Sequence, residues 1–545
     1  MGKGIDLCSM PFLRIEKKKS GTYLRILESY RNEEGKPTHR ILHSLGKAED
    51  YSSEQLRGIG IRFYELGGGE IRSLIKGELT EIGRYNYGFQ QIYSRAIQHY
   101  GLHDIFRRIQ RKSRFSFNLY DVVFLMLIER LQDPCSKRKN FEHQNEYINL
   151  PKVELHHIYR ALDVLAKNNK LIQRQIYQTG RDLFNNKIDV VFYDVTTFYF
   201  DSDIEEQEAI RQKGFSKDGK VGKTQVLFSM MIDKDKNPIA YRTFKGNVGE
   251  GTTFEHAIAE LKSTYQIDKV IIVADRGMLS KSNLDKIVKA NYEFILGERL
   301  KSLPKAIQQT LLDRSQYDQE WAYTDHDDKP VRITYTTTSY ENRTIICTHS
   351  QRRADKDKID REQRIEKAKI LLTKPSALKS KSSRFYIRDT AQNTYELDEE
   401  KIKKHQAYDG LLAISTNAKD IGISQILEQY KQLYKIEQSF RSLKSHLEIR
   451  PMFHWTESRI EGHICMCYIA FTLQNWVLNT VNKSKTQLSE NTLRKLLSKM
   501  QLSLLQNGKE MIYVRSKPQE KEVFVQQKLG IKPLRPMIPQ NKLQI

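Results

Sequence analysis

Residues 188–200 read IDVVFYDVTTFYF, a β-branched and aromatic run that is the first of a series of predicted strands. Two further runs of strand type follow, QVLFSMMI at 225–232 and IAYRTF at 239–244. After a stretch with helical spacing comes KVIIVAD at 269–275, which has the composition of a buried strand. A second helix and the run EFILG at 293–297 complete the series. The predicted order is β-β-β-α-β-α-β, an α/β fold with a mixed sheet flanked by helices.

Two aspartates interrupt these apolar runs. Asp194 lies within the first strand and Asp275 ends the fourth. A carboxylate in an apolar strand is costly unless a cation, a hydrogen bond or solvent satisfies it. In this strand order the first and fourth strands can be neighbours, so the two side chains could share a metal ion. For either aspartate taken singly, an Asx-turn at a strand end is the favoured explanation, and only the pair in this strand order favours a metal site.

A third carboxylate follows on an amphipathic helix predicted over residues 425–446. Tyr430, Glu437, Arg441 and Lys444 are separated by 7, 4 and 3 residues, so they share one face of an α-helix. One acid and two bases therefore project together. Glu437 and Arg441 alone could equally be a solvated i, i+4 ion pair that stabilises the helix by about 0.2–0.5 kcal/mol.

Composition and the periodicity of apolar residues change several times along the chain, and these changes predict six segments. The α-helical segment carries a cluster of bases and is therefore a candidate for DNA recognition. The same bases could equally form a solvated face. They are Arg107, Arg108, Arg111, Lys112, Arg114, Lys137, Arg138 and Lys139. The predicted segments are an N-terminal β-containing region (1–80), an α-helical region (81–185), the first part of the core (186–300), an inserted, mainly β subdomain (301–406), the second part of the core (407–480) and a C-terminal region (481–545).

Composition restricts the class of protein. The 545 residues carry 90 Lys and Arg against 67 Asp and Glu, a net charge of +23, which favours a polyanionic partner. The five cysteines are too few for a disulfide framework and fit a reducing compartment. No signal peptide or run of about 18 uncharged apolar residues is visible. We therefore expect an intracellular protein without a membrane partner.

These motifs together resemble those of DDE transposases of bacterial insertion sequences, in particular the cut-and-paste group with a Y-(2)-R-(3)-E-(6)-K signature and a β-rich insertion. Tyr430, Glu437 and Lys444 match three signature positions, whereas Leu433 stands at the position of the arginine. The motifs YDVTT at 193–197 and ADRGM at 274–278 resemble the two acidic motifs of the family.

The resemblance implies an RNase H-like catalytic domain in which Asp194, Asp275 and Glu437 hold two Mg²⁺ or Mn²⁺ ions. Tyr430, Arg441 and Lys444 would then position DNA phosphates. The implied activity is DNA cleavage at the ends of an insertion sequence followed by strand transfer, with terminal inverted repeats and target DNA as partners. A homodimer on two DNA ends and a nucleoid-associated location in the bacterial cytoplasm are also implied. The alternatives are a nuclease of the same fold without strand transfer and a non-catalytic DNA-binding descendant.

Overall fold

The computed structural model of the protein describes residues 11–67, 79–180, 189–205, 209–214, 219, 222–324, 329–373, 385–391, 394–483, 487–507 and 510–543. The chain forms two compact units, Met1–Ile82 with Leu505–Ile512 and Gly83–Leu504 with Tyr513–Ile545. The six segments predicted from composition are finer than this division. Cys8 lies outside the described residues, and Cys347, Cys465 and Cys467 are buried free thiols.

The first unit contains the predicted N-terminal β element. Three antiparallel strands pair in chain order, and a helix follows them: β1 (Pro11–Lys18), β2 (Gly21–Arg31), β3 (Pro37–Lys47) and α1 (Ser53–Leu66). The turn between β2 and β3 is fixed by Asn32, whose side chain accepts a hydrogen bond from the Lys36 N–H at 2.9 Å. Gly35 occupies this turn at φ +74°, a conformation that glycine adopts without steric cost.

The helical region predicted before the core is present. Strand β4 (Thr80–Asn86) precedes six helices: α2 (Gly88–His99), α3 (Leu102–Arg111), α4 (Leu119–Gln132), α5 (Lys137–His143), α6 (Leu155–Lys167) and α7 (Asn169–Thr179). Helix α4 begins where the Asn118 side chain accepts a hydrogen bond from the Tyr120 N–H, and it ends just before Pro134. Almost all its side chains are buried, so α4 is a core helix of this region.

The predicted β-β-β-α-β-α-β order is confirmed, with one additional two-residue strand, β6. The elements are β5 (Val190–Tyr199), β6 (Gln212–Lys213), β7 (Thr224–Ile232), β8 (Pro238–Lys245), α8 (Glu250–Ser263), β9 (Ile271–Ala274), α9 (Lys281–Lys289) and β10 (Glu293–Glu298). Strand β9 lies between β5 and β10 and is parallel to both, whereas β7 runs antiparallel to β5 and β8 antiparallel to β7. The first and fourth predicted strands are therefore adjacent, as expected.

Three strands of the inserted segment extend the core sheet, whereas its last two strands pair with each other in a separate two-stranded sheet. Its elements are α10 (Lys305–Leu312), β11 (Gln319–Thr324), β12 (Pro330–Tyr340), β13 (Arg343–His349), α11 (Gln351–Leu372), β14 (Ile387–Ala391), β15 (Thr394–Leu397) and α12 (Glu399–Gln406). Strand β13 pairs with the resumed core strand β16 (Leu411–Thr416), which in turn pairs with β10. The result is one ten-stranded sheet in the order β11-β12-β13-β16-β10-β9-β5-β7-β6, with β8 on β7. The insertion is thus continuous with the core.

The prediction of one continuous helix over residues 425–446 is wrong, because the helix is interrupted. Helices α13 (Ile423–Lys431) and α14 (Tyr434–Arg441) are followed by a π turn, Ser442–His446. At the break the N–H groups of Lys435 and Ile436 donate to carbonyls three residues earlier, which tightens the chain locally. In the π turn the Leu447 N–H donates to the carbonyl of Ser442, five residues earlier. Tyr430, Glu437 and Lys444 therefore lie on three successive short elements.

Helix α15 (Glu457–Val481) is the longest helix of the described chain. Its length and composition would allow it to cross a membrane, but 78% of its most apolar window is buried inside the protein. It packs against α2, α4 and α6, which indicates a core helix. The last elements are α16 (Glu490–Leu497), β17 (Gln501–Asn507), β18 (Glu510–Arg515), α17 (Glu520–Lys528) and β19 (Met537–Pro539). Strands β4, β17, β18 and β19 form a four-stranded sheet.

Candidate active site

The register of two parallel strands brings Asp194 and Asp275 to neighbouring positions. Tyr193 of β5 is the partner of Ala274 of β9, and each aspartate is the next residue along its strand. Since the strands are parallel, both side chains belong to the same end of the sheet. The half-buried Asp194 accepts a hydrogen bond from the Val195 N–H at 2.7 Å, whereas Asp275 is exposed at the end of β9.

Glu437 is presented by α14, which packs on the same part of the sheet. The buried side chains of Ile436 and Phe440 hold this helix against β5 and β7, and the Phe440 ring meets Phe228 edge-on at 6.2 Å. Glu437 points away from this apolar face and is exposed. The anchoring residues therefore place a carboxylate beside the strand that carries Asp194.

Tyr430 packs closely against the sheet next to Asp275. A Cβ atom at Gly297 would lie 2.6 Å from the Tyr430 hydroxyl oxygen and 2.9 Å from the backbone nitrogen of Arg276, so this close approach requires glycine. Burial, and then the negative charge of Asp275, raises the pKa of Tyr430, and Glu437 acts in the same direction. The phenol therefore stays protonated and lies within electrostatic reach of both acids.

A cleft of about 1170 Å³ joins these residues to the inserted segment. Asp275, Tyr430 and Glu437 all line it, together with the aromatic rings of Trp321 and Tyr323 from β11. Nine bases also line the cleft: Arg276, Arg299, Lys301, Arg352, Arg353, Lys356, Arg361, Arg364 and Lys431. Six acids line the cleft as well, Asp275, Glu298, Asp357, Asp360, Asp409 and Glu437, so the bases outnumber the acids and the cleft suits a polyanion.

The other predicted site residues lie outside the lining of this cleft, as far as the described chain shows. Asp194 is on the strand beside Asp275, and Arg441 ends the helix that carries Glu437. The half-buried Lys444 lies in the π turn. Irregular turns of this kind frequently occur at functional sites. Sequence reasoning missed Gly297 and Arg353, since neither stands in a pattern that distinguishes it from neighbouring glycines and bases.

The donor chemistry of the acids fits divalent cations. Among the described residues, the carboxylates of Asp275 and Glu437 accept no hydrogen bond and form no ion pair, although bases line the same cleft. Hard cations such as Mg²⁺ prefer carboxylate oxygens. These two exposed carboxylates are thus available as ligands, and Asp194 lies on the strand beside Asp275.

A second group of ligand-type side chains occurs in the helical region, and it includes none of the three predicted ligands. Ligand atoms of Glu129, Cys135 and His143 lie within 4.8 Å of one another, the tightest such group in the described chain. Glu129 already accepts hydrogen bonds from the Cys135 thiol at 3.3 Å, from Asn140 at 3.4 Å and from the Tyr147 hydroxyl, and it contacts His143 at 3.1 Å. This buried carboxylate is therefore satisfied by protein donors.

The surroundings of this cluster show that one predicted DNA contact, Lys137, is wrong. Lys137 is 4% exposed, and its ammonium group donates to the Asn140 side chain at 3.3 Å. Burial, with the nearby charge of Arg130, lowers the pKa of Lys137 to about 7. A side chain enclosed in this way cannot reach a phosphate, so Lys137 leaves the set of candidate DNA contacts. The other seven bases of the predicted set are not buried.

Comparisons with known proteins identify the family. The family described as "Transposase DDE domain" matches residues 185–473, more than half of the chain, and the family "IS1634 family transposase, N-terminal domain" matches residues 13–83. No curated protein matches.

Two solved structures show weak similarity. The Mos1 transposase paired-end complex with left transposon end has 12% identity and a TM-score of 0.15, covering 33% of this chain and 60% of that chain. Marinitoga piezophila Argonaute in complex with 5′ OH guide RNA has 9% identity and a TM-score of 0.18, covering 77% and 74%. This chain thus spans less than two thirds of the Mos1 chain.

The assignment rests on the two family matches, which cover both the N-terminal strands and the core that carries the three acids. The family match implies an RNase H-like core, with which the mixed sheet agrees, and metal-dependent chemistry. The chain belongs to the DDE transposases of insertion sequences.

Proposed function

We propose that this transposase cleaves DNA strands at the ends of an insertion sequence and transfers them to target DNA, with Asp194, Asp275 and Glu437 as its catalytic acids. One observation carries this proposal: two aspartates stand at neighbouring positions of parallel strands, and a helix packed on the first strand adds Glu437. Asp275 and Glu437 then line one cleft with unpaired carboxylates. A solvated ion-pair ladder would not leave these acids without partners.

The three acids are proposed to hold two Mg²⁺ or Mn²⁺ ions. Bound there, a metal pair supplies Lewis-acid stabilisation of the attacking and leaving oxygens in phosphoryl transfer. The residues of the chain fix the position of the DNA. Arg441 and Lys444 follow Glu437 by one and two turns and would contact phosphates, while the protonated Tyr430 hydroxyl lies beside Asp275 as a hydrogen-bond donor.

Double-stranded DNA is the proposed partner, as terminal inverted repeats and as target. The net charge of +23 supports a polyanionic partner, because Lys and Arg release counterions condensed on phosphates. The exposed bases of α3, Arg107, Arg108 and Arg111, support the helical segment 81–185 as a DNA-recognition region. A homodimer on two DNA ends, in the bacterial nucleoid, is the proposed assembly.

The proposed function is tested with the full-length protein, Mg²⁺ and a duplex that carries the inverted repeats flanking the gene. We expect cleavage at the repeat ends, followed by joining of the released 3′ ends to a second duplex. Cleavage without joined products would indicate the nuclease alternative. Specific binding without cleavage would indicate a non-catalytic descendant.

Lys444→Ala is expected to reduce cleavage without changing which end sequence is preferred. A phosphate contact contributes to affinity but carries no base information. One lost contact should also reduce the slope of log affinity against log salt by about one. Binding titrations at several salt concentrations, on the cognate end and on a shuffled end, measure both quantities. An altered sequence preference would instead make Lys444 a base-reading residue.

A further inference from the structure

The helix that carries Glu437 leaves one side of this acid without a base. Arg441 follows Glu437 by one turn, but the residue one turn before it is Leu433, a half-buried apolar side chain that lines the cleft. DNA that reaches the acids brings phosphates on both sides of the reacting bond. On the Leu433 side, a compensating positive charge must come from another element.

Helix α11 of the insertion lines the same cleft as Leu433, and three contacts fix it to the start of β16. The Ser350 N–H donates to the Gly410 carbonyl at 3.1 Å, and the Gly410 N–H donates to the Asp357 carboxylate at 3.0 Å. Arg361 forms an ion pair with Asp409, with side chains that are only 9% and 18% exposed. Asp357 and Arg361 are four residues apart and so share one face of α11. That face is held rigidly against the core.

Arg353 lies on the same face, one turn before Asp357. Its guanidinium is 3.9 Å from the Asp357 carboxylate, the limit of an ion pair, and its side chain is 44% exposed. Five N–H donors on a planar group therefore remain largely available to a ligand. Arg353 lines the cleft together with Tyr430, Leu433 and Glu437.

The charge of Arg353 reaches Tyr430, whose hydroxyl lies close to the backbone of Arg276. It acts on the Tyr430 hydroxyl against the effects of Asp275 and Glu437, and it precedes Arg276 among the bases that lower the pKa of Tyr430. Arg276 directly follows Asp275 and lines the same cleft. Arg353 is thus a base of the insertion whose charge acts on a residue of the site.

We propose that Arg353 binds a DNA phosphate beside the scissile bond and supplies the positive charge that position 433 lacks on the catalytic helix. This inference rests on the proposed function and names a contact that the insertion makes at the same site. The insertion, through α11, then completes the phosphate-binding surface of the core. Arg353 acts as a positioning residue, since it fixes the DNA backbone and takes no part in bond making.

The test combines Arg353→Gln with single neutral methylphosphonates placed at successive positions around the cleavage site. Loss of one charge-assisted hydrogen bond should lower single-turnover cleavage about 10- to 100-fold. In the unmodified protein, neutralising one phosphate should lower the cleavage rate by a similar factor. In the Arg353→Gln variant, neutralising the same phosphate should not lower the cleavage rate further. A merely structural role of Arg353 would not produce this result.

Lys358→Gln is the matched control, because Lys358 is an exposed base on α11 outside the cleft lining. It should cleave within about twofold of the unmodified protein, as distant surface changes usually do. Wild-type cleavage by Arg353→Gln would overturn the proposal. So would phosphate neutralisations that each cost this variant as much as they cost the unmodified protein.

Equilibrium binding separates this proposal from the proposed function. If the unmodified protein bound end DNA but did not cleave it, the proposed function would fail while Arg353 could still be judged. Arg353→Gln should weaken binding and lower the salt slope by about one. An unchanged slope would overturn the phosphate contact whether or not the protein cleaves.

Discussion

Asp194→Asn, Asp275→Asn and Glu437→Gln are each expected to reduce DNA strand cleavage by roughly 10³-fold or more. An amide replaces an anionic oxygen by a neutral group and weakens the hold on a divalent cation. Metal stabilisation of the transition state contributes several kcal/mol, and each 1.36 kcal/mol is a factor of about ten in rate. Binding to end DNA should persist, since removing a negative charge does not repel phosphates.

The measurement is single-turnover cleavage with Mg²⁺, alongside gel-shift titrations of the same preparations. Asp285→Asn is the control, because Asp285 is an exposed acid on α9 that does not line the cleft. It should cleave at the unmodified rate. A catalytic variant that retained cleavage within tenfold would remove that residue from the site. Loss of DNA binding together with cleavage would point to a folding defect instead.

Gly462→Ala is expected to produce the largest loss of stability, a decrease of about 3 kcal/mol in the free energy of unfolding. Gly462 lies on the buried side of α15, where this helix packs against α6. A Cβ atom there would be 2.1 Å from the carbonyl oxygen of Leu162 and 2.6 Å from its carbonyl carbon. Backbone atoms cannot rotate aside as a side chain would, so the two helices would have to separate.

Gly251→Ala provides the matched control within another helix, α8. The nearest atom to its added Cβ would be the Asn283 amide nitrogen at 3.8 Å, an ordinary van der Waals distance. This change should be neutral or stabilise by up to about 1 kcal/mol, because alanine restricts the unfolded chain. Denaturant unfolding followed by circular dichroism measures both variants. A Gly462→Ala protein as stable as Gly251→Ala would contradict the close helix contact.

The core of the fold and its candidate acids could be predicted from local sequence patterns. Strand runs have a strong local signal, so the order β5 to β10 could be predicted, and with it the adjacency of the strands that carry Asp194 and Asp275. Helical spacing likewise placed Glu437 on a helix with an apolar face. These features depend on residues close together in the chain, which is why periodicity reveals them.

Features that depend on residues far apart in the chain are visible only in the folded protein. The break near Leu433 and the π turn at 442–446 occur where helices pack against the sheet. The helical spacing of apolar residues does not predict either irregularity. Lys137 looks like any surface base in the sequence, yet packing buries it beside Glu129.

The position of Arg353 depends on contacts across long separations. Its helix carries charges on every face, so composition gives no reason to select this base. The buried pair of Arg361 and Asp409, 48 residues apart, fixes which face of α11 meets the core. A pairing of this kind is set by the packing of the whole domain, because local propensity specifies a helix but not the surface it lies against.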